Sequence, residues 1–333
     1  MPVISGGKFV VVGAAGLLGV HLGQQLLDAG AREVVLVDNL SLGSVENLQH
    51  LLQDRRCSFV RADVLRLNEL FDPFKGADGV FAVAGILGVP MAANPWMGID
   101  VNIRGMQNLL EACRYKGVKK VVFSSSIGVY AAFGDGPDED QPLRWQGLLP
   151  PIAIYSASKV IGEALCKLYH QQYGIDFVAL RYSMLYGDPS HKRSMMGTEM
   201  GVAYDRLRSG LPPIIEGDGT QVQDFIYAAD AARANVMSMA SEVAGESFNI
   251  VQGVDTSINR LIEIITQLCK SDLEPQHRVD PSKLASPKVT KMGFTGEKAK
   301  RLLGWEPQVS VEEGVRRVVA WMDRERMASS REA

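Results

Sequence analysis

At 333 residues the chain is too long for one small domain and short for three. Two units, or one large α/β unit with an appended lobe, are expected. Hydrophobic residues at 46% and charged residues at 22% exclude disorder, collagen-like repeats and disulfide scaffolds. Thirty-five Lys+Arg against 38 Asp+Glu leave a net charge of −3, which points to no nucleic-acid partner and no anionic membrane.

In chain order, β-branched runs at Lys8–Val12, Glu33–Val37, Ser58–Arg61, Gly79–Val83, Lys119–Ser124 and Asp176–Leu180 predict strands. Between them, apolar residues at helical spacing predict helices at Leu17–Leu27, Val45–Leu52, Asn68–Phe74, Trp96–Cys113 and Ser156–His170. Strand and helix alternating this often imply parallel strands with right-handed crossovers and helices on both faces, a doubly wound α/β fold. The strands are continuously apolar, as a sheet covered on both sides requires.

The rhythm breaks after residue 182. Pro189, Pro212, Pro213 and six glycines mark a loop-rich stretch with one helix at Met200–Arg208. Asp224–Ile226 predicts a strand stub, Ala228–Ala240 a helix and Ser247–Val251 a strand returning to the first sheet. Ser257–Cys269, Lys298–Gly304 and Glu312–Arg324 predict helices, and Arg324–Ala333 a frayed end. The expected division is 1–182 with 224–255 as one domain, and 183–223 with 256–330 as a smaller lobe.

Cys57, Cys113, Cys166 and Cys269 form no CxxC pair and predict reduced, half-buried thiols in a cytoplasmic protein. The apolar run Phe9–Leu22 spans 14 residues, too short for a bilayer, and has no cleavage site of the signal-peptide kind. His50, His170, His191 and His277 share no ligand spacing, so no metal is expected. His21 is read as a packed structural residue.

The first strand runs into Gly13-Ala-Ala-Gly16-Leu17-Leu18-Gly19. The first glycine suits a tight turn, the second a close approach of backbone to a pyrophosphate, and the third close helix–sheet packing. The helix opening behind them offers free N–H groups and a positive dipole end to a phosphate. Asp38, at the end of the second strand, can accept both adenosine ribose hydroxyls and repels a 2′-phosphate, so NAD is favoured over NADP. Asp63 either reaches the adenine amino group or caps a helix.

Ser124-Ser125-Ser126 end the fifth strand; Tyr155 and Lys159 follow at i, i+4 spacing on one helix face. An ammonium beside a phenol favours phenolate and lowers the phenol pKa from about 10. Such a tyrosine can take a proton from a substrate hydroxyl while hydride leaves the carbon for NAD.

With Asp100-Val101-Asn102, Glu163, Leu180-Arg181-Tyr182, Leu185-Tyr186-Gly187, Gly217–Thr220, Asp224–Tyr227 and Leu303–Pro307, the chain resembles the extended short-chain dehydrogenase/reductase family. Within it the likeness is to the NAD-dependent sugar epimerase/dehydratase branch (UDP-glucose 4-epimerase-like), over nearly the whole length. The resemblance implies a Rossmann domain, a smaller C-terminal substrate-binding lobe and tightly bound NAD. It implies Tyr155 as acid/base, Lys159 on the nicotinamide ribose, Ser126 as hydroxyl partner and Ser124 near the nicotinamide, with Asn102 in support. Cofactor contacts are thus expected at Gly13, Gly16, Leu17, Leu18, Gly19, Asp38, Asn39, Asp63, Val64, Ala84, Asn102, Ser124, Tyr155 and Lys159. A homodimer through the helices at 96–113 and 156–170 is implied as well.

Departures from the branch narrow the chemistry. Dehydratases and decarboxylases carry an acid two residues beyond the catalytic Ser/Thr, where this chain has Gly128. Epimerisation or simple oxidation is therefore favoured. Met184 and Gln223 stand where sugar-nucleotide enzymes usually have Asn and Arg, and Lys291 stands loosely in place of a further Arg. Buried phosphates need charge-assisted donors; either Lys192, Arg193, Arg206 and Arg208 replace them, or the substrate lacks a pyrophosphate. The loop Ala84–Met91 is apolar, suiting a less polar substrate or plain packing. The reading is a nucleotide-sugar epimerase with Ser126, Met184 and Gln223 facing a small-molecule substrate; the alternative is a net NAD-dependent dehydrogenase of a non-nucleotide hydroxy compound.

Overall fold

The computed structural model describes residues 4–130, 136–144, 148–188, 195–279 and 289–332. The chain opens with strand β1 (Lys8–Val12), helix α1 (Leu17–Asp28), β2 (Glu33–Asp38), β3 (Cys57–Arg61), α2 (Leu67–Phe74) and β4 (Gly79–Ala82). Short helices α3 (Gly88–Ala93) and α4 (Pro95–Ile99) lead through a π-helical turn (Asp100–Gly105) into α5 (Met106–Lys116). Then come β5 (Lys120–Ser126), α6 (Pro150–Tyr173), β6 (Asp176–Tyr182), β7 (Met184–Tyr186), α7 (Met195–Arg208), β8 (Ile214–Glu216) and β9 (Val222–Tyr227). Helix α8 (Ala228–Ala240), β10 (Glu246–Ile250), β11 (Asp255–Ser257), α9 (Ile258–Leu268), β12 (Gln276–Arg278), α10 (Glu297–Leu303) and α11 (Val311–Glu332) complete it.

Seven parallel strands in the order β10-β6-β5-β4-β1-β2-β3 make the main sheet, the doubly wound Rossmann arrangement. Its order reverses between β1 and β4, and there the carboxyl ends of the strands open a crevice. Alternation along β1 explains the two cores. Phe9 and Val11 face one core, with Leu22 and Leu26 of α1 and Ala231 of α8. Val10 and Val12 face the other, with Leu70 of α2, Leu109 of α5 and Cys166 of α6. A third core joins α7, α9 and α11 beneath a three-stranded sheet, β11-β9-β7, around Tyr204, Phe225, Ile265 and Val315.

Several elements depart from the sequence expectation. Val45–Leu52 forms two 3-10 turns, at Val45–Leu48 and Leu51–Gln53, instead of an α-helix. The segment is tethered to the glycine loop, since Asn47 donates to the Ala15 carbonyl at 3.2 Å. Trp96–Cys113 is interrupted by the π turn, which rotates Asn102 inward. The strand near 224 pairs with β7 and β11, and only Glu246–Ile250 joins the main sheet. Trp305, wholly buried, belongs to the core under the main sheet and donates from Nε1 to the Asp230 carbonyl at 2.9 Å. The terminal helix runs on to Glu332 where fraying was expected. All four cysteines are free and buried, not half-buried, with Cys57 and Cys269 the more accessible two. No helix among the described residues is long and apolar enough to cross a membrane.

Candidate active site

Gly13 leaves β1 at φ +91°, a left-handed conformation that favours glycine, and a Cβ there would lie 2.5 Å from the Ala84 nitrogen. Gly19 packs α1 onto the loop, for its Cβ would lie 2.5 Å from Ala14 Cα. Gly16 is different. Its φ of −83° and ψ of 170° suit any residue, and the nearest heavy atom to an added Cβ is the Gly13 carbonyl at 3.5 Å. Neither backbone geometry nor protein packing asks for glycine at 16.

Gly16 is also the N-cap of α1, with no side-chain cap and no acid in the first turn. The leading N–H groups, at Leu17 and Leu18 among them, find no capping oxygen in the helix entry, which is how an anion site is built. Asp38 stands at the carboxyl end of β2, accepting from Ala15 N at 3.0 Å and Leu40 N at 2.7 Å. Asn39 donates to Asp63 at 3.1 Å, and Asp63 also accepts from Leu65 N at 2.9 Å. Val64 packs beside Gly105 and its carbonyl accepts from Asn108. Gly13–Gly19, Asp38, Asn39, Asp63, Val64 and Ala84 thus gather at the carboxyl ends of β1, β2, β3 and β4. An uncapped helix start, an unobstructed glycine and a ribose-height carboxylate fit a dinucleotide.

The chemistry-bearing side chains stand at the ends of β4 and β5. Lys159 is buried, donates to the Ser124 carbonyl at 2.8 Å, and lines a narrow cleft with Val64, Ala82, Ala84, Asn102 and Phe123. The Ser126 hydroxyl, which accepts from Gly128 N at 3.1 Å, is near enough to the Tyr155 phenol to favour its ionisation, against the larger effect of burial. Asn102 accepts from Ile86 N at 2.7 Å and donates to the Ile86 carbonyl and Ser158 Oγ at 3.0 Å each. Ser158 donates in turn to the Tyr155 carbonyl at 2.6 Å. The π turn therefore ties the loop after β4 to the tyrosine's own helix.

One expectation needs correcting. Among the protein's own groups, burial outweighs every favourable contact and pushes the Tyr155 phenol up to about 12. Burial also pushes Lys159 down to about 8. The lysine ammonium is aimed at the Ser124 carbonyl and lies 5.7 Å from the Tyr155 ring centre, so it does not by itself make the phenol acidic.

The positions expected to face a sugar are less polar than phosphates would require. Half-buried Met184 packs against the third core, and Gln223 lies on β9 opposite Thr256. Arg208 is paired with Asp323 at 2.7 Å, and Arg206 donates to the Pro212 carbonyl at 2.6 Å. Lys192 and Arg193 lie outside the described residues. The loop after β4 divides: Ile86 and Met91 are buried, Leu87 and Val89 exposed. His21 is half-buried and donates from Nε2 to the Asp188 carbonyl at 2.6 Å, with its pKa lowered by desolvation, consistent with a packing role.

Sequence reasoning missed Ser158 and the ties of Ser125, Glu163 and Arg181. Glu163 was within reach, being i+4 from Lys159 on the same face; the partners on β5 and β6 carried no local signal.

The chain matches the NAD dependent epimerase/dehydratase family over residues 9–251, from β1 through β10. It belongs to that family. A UDP-glucuronate 4-epimerase of Thermodesulfobacterium geofontis is 33% identical over 328 residues, covering 95% of this chain and 96% of the relative. A UDP-glucose 4-epimerase of Mycolicibacterium smegmatis is 31% identical over 319 residues, 94% and 97% of the two chains. Among solved structures, UDP-glucose 4-epimerase of Thermotoga maritima with UDP-glucose superposes with a TM-score of 0.84 at 30% identity, covering 96% and 99%. The enzyme is thus of the NAD-dependent extended short-chain dehydrogenase/reductase type.

Proposed function

We propose that this enzyme epimerises a nucleotide-linked sugar by oxidising a secondary alcohol and re-reducing it on the opposite face. The carrying observation is the convergence of Tyr155, Ser126 and buried Lys159, whose Nζ donates to the Ser124 carbonyl at 2.8 Å, at the carboxyl end of β5, with Gly128 where an acid would be needed to expel water or CO2. A side chain at 128 would meet Ser156 Oγ at 3.0 Å and Ser126 Oγ at 3.3 Å, so the backbone there is closed to a carboxylate unless both move.

Tyr155 accepts the proton of the sugar hydroxyl and later returns it, while Ser126 orients the sugar oxygen. Bound NAD supplies the hydride acceptor and then the donor and, when oxidised, a positive charge favouring phenolate. Lys159 adds its own charge and holds the ribose. Gly13–Gly19 with Leu17 and Leu18 hold the pyrophosphate, Asp38 and Asn39 the adenosine ribose, and Asp63 and Val64 the adenine end, with Ala84, Asn102 and Ser124 at the nicotinamide end. In this reading 1–182 with 224–255 bind the cofactor, and 183–223 with 256–330 the sugar nucleotide, through Ser126, Met184 and Gln223. Exposed Trp96 and Ile99 on α4 with Ile161 and Leu168 on α6 support a homodimer through these helices. Four buried free thiols support a reducing, cytoplasmic setting.

The engagement of Arg208 by Asp323, with Met184 and Gln223 on the sugar side, favours the second reading, a net dehydrogenase of a non-nucleotide hydroxy compound. Incubating the purified protein with UDP-glucose, UDP-N-acetylglucosamine and UDP-glucuronate, and following products by NMR, separates the two. Epimer formation without added NAD is expected. NADH accumulating on a non-nucleotide alcohol, with no epimer from any UDP-sugar, would transfer the assignment. Tyr155→Phe should lose about 10³-fold in turnover while retaining bound NAD.

A further inference from the structure

Tyr155, Lys159 and Glu163 stand at four-residue intervals on one face of α6. Glu163 is buried and its carboxylate is fully engaged. Ser125 Oγ donates at 2.5 Å, Arg181 Nε and Nη2 at 2.9 and 2.7 Å, and Ser247 Oγ at 3.3 Å. Arg181 Nη1 donates to the Tyr130 hydroxyl at 2.7 Å, which donates to Asn249 Oδ1 at 2.8 Å. One carboxylate thereby fastens α6 to β5, β6 and β10, and Ser125 lies between Ser124, the partner of Lys159, and Ser126, whose hydroxyl neighbours the Tyr155 phenol.

A buried ion pair is often no more stabilising than an apolar pair of similar volume. Holding the helix to the sheet does not by itself require one here.

We propose that Glu163 is a positioning residue for proton transfer: through Ser125 and Arg181 it keeps the Tyr155–Lys159 face of α6 in register with the Ser124–Ser126 strand end. This rests on the reading of Tyr155 as the acid/base. Lys159 faces Tyr155 and Glu163 on its own helix, the Ser124 carbonyl and the Phe123 ring on β5, and, across the cleft, Asn102. Glu163 faces Ser125, Arg181, Tyr130 through Arg181, Ser247, and Cys166 on its own helix. Glu163 opposes the fall that burial imposes on the Lys159 pKa. Without the carboxylate the ammonium loses its proton at lower pH, the phenolate loses its cation, and Tyr155 ionises at higher pH.

The test uses the NAD-loaded enzyme and its epimerisation rate across pH. For Glu163→Gln, the ascending limb of kcat should move up by about half a pH unit, and kcat at pH 7 should fall about threefold with KM little changed. Glu163→Asp should bring the limb back toward its original place. A lower melting temperature with an unmoved limb would make Glu163 structural and overturn the proposal. Should Glu163→Gln fail to fold, Ser125→Ala decides, because it leaves the ion pair and removes only the tie to β5. A drop in kcat of about fivefold at constant KM is expected there, and unchanged kcat overturns the proposal. Tyr155→Phe distinguishes the two levels. Full turnover in that variant sinks the acid/base reading itself, whereas an inactive Tyr155→Phe beside a wild-type Glu163→Gln sinks only the role of Glu163.

Discussion

Around Gly13–Gly19 the proposed cofactor end is shaped by backbone: a left-handed turn at Gly13, an uncapped helix start at Gly16 and backbone of the loop in close contact. At Met184, Gln223 and the loop after β4, the proposed sugar end would be shaped by side chains arriving from elements far apart in sequence. The first kind of site tolerates little change because every residue shares the same few atoms of main chain. The second can exchange one side chain for another without disturbing a strand, and it holds the positions, Met184 and Gln223, where the resemblance to the epimerase branch implied Asn and Arg.

The largest expected effect tests the backbone side. Gly16→Val should fold with a near-wild-type Tm, since conformation and space both permit it, yet carry about 100-fold less NAD after purification because the branched side chain stands where pyrophosphate must approach. Full NAD content in a folded Gly16→Val would break the distinction. On the side-chain side, Gln223→Arg should lower the KM for UDP-sugars about tenfold, the value of one charge-assisted hydrogen bond to phosphate. An unchanged or higher KM would mean that the sugar end does not meet a pyrophosphate at 223.

The smallest effect lies at the seam between the two ends. Lys159 has a folded pKa lowered by burial from 10.5 to about 8. Between those values the folded state binds fewer protons than the unfolded, so stability rises with pH across the window, and the cost of burying the charge is full below about 8. Lys159→Met should therefore raise Tm by about 3 °C at pH 7 while abolishing turnover, and the gain should shrink as pH approaches 10.5. A Tm gain that is constant with pH would show that the lysine charge is not being paid for by the fold.

Much of the first 180 residues is legible from pattern alone. Lys8–Val12 and Ala228–Ala240 are found at the boundaries their residues predict, because a Val run and an Ala-rich amphipathic stretch each have one good solution. Trp96–Cys113 was not legible as it stands. Its periodicity is helical throughout, and only the demand that Asn102 meet both Ile86 and Ser158 explains the extra residue in the turn. The same holds for Val45–Leu52, whose spacing reads as a helix and whose 3-10 form accompanies a tether to Ala15. The short strands at Met184–Tyr186 and Asp255–Ser257 escaped notice because three residues carry no period.

From residue order alone follow the doubly wound sheet, the glycine turn with its acidic partner at Asp38, and the placing of Tyr155 above Lys159 on one helix face. These depend on spacing along the chain, and local geometry converts spacing directly into position. The tertiary structure alone decided that burial raises the Tyr155 phenol instead of lowering it, that Lys159 turns to the Ser124 carbonyl, that Arg208 is held by Asp323, and that Glu163 binds three strands at once. Each of those depends on desolvation or on a partner many residues away, and neither quantity is written in the neighbourhood of the residue it governs.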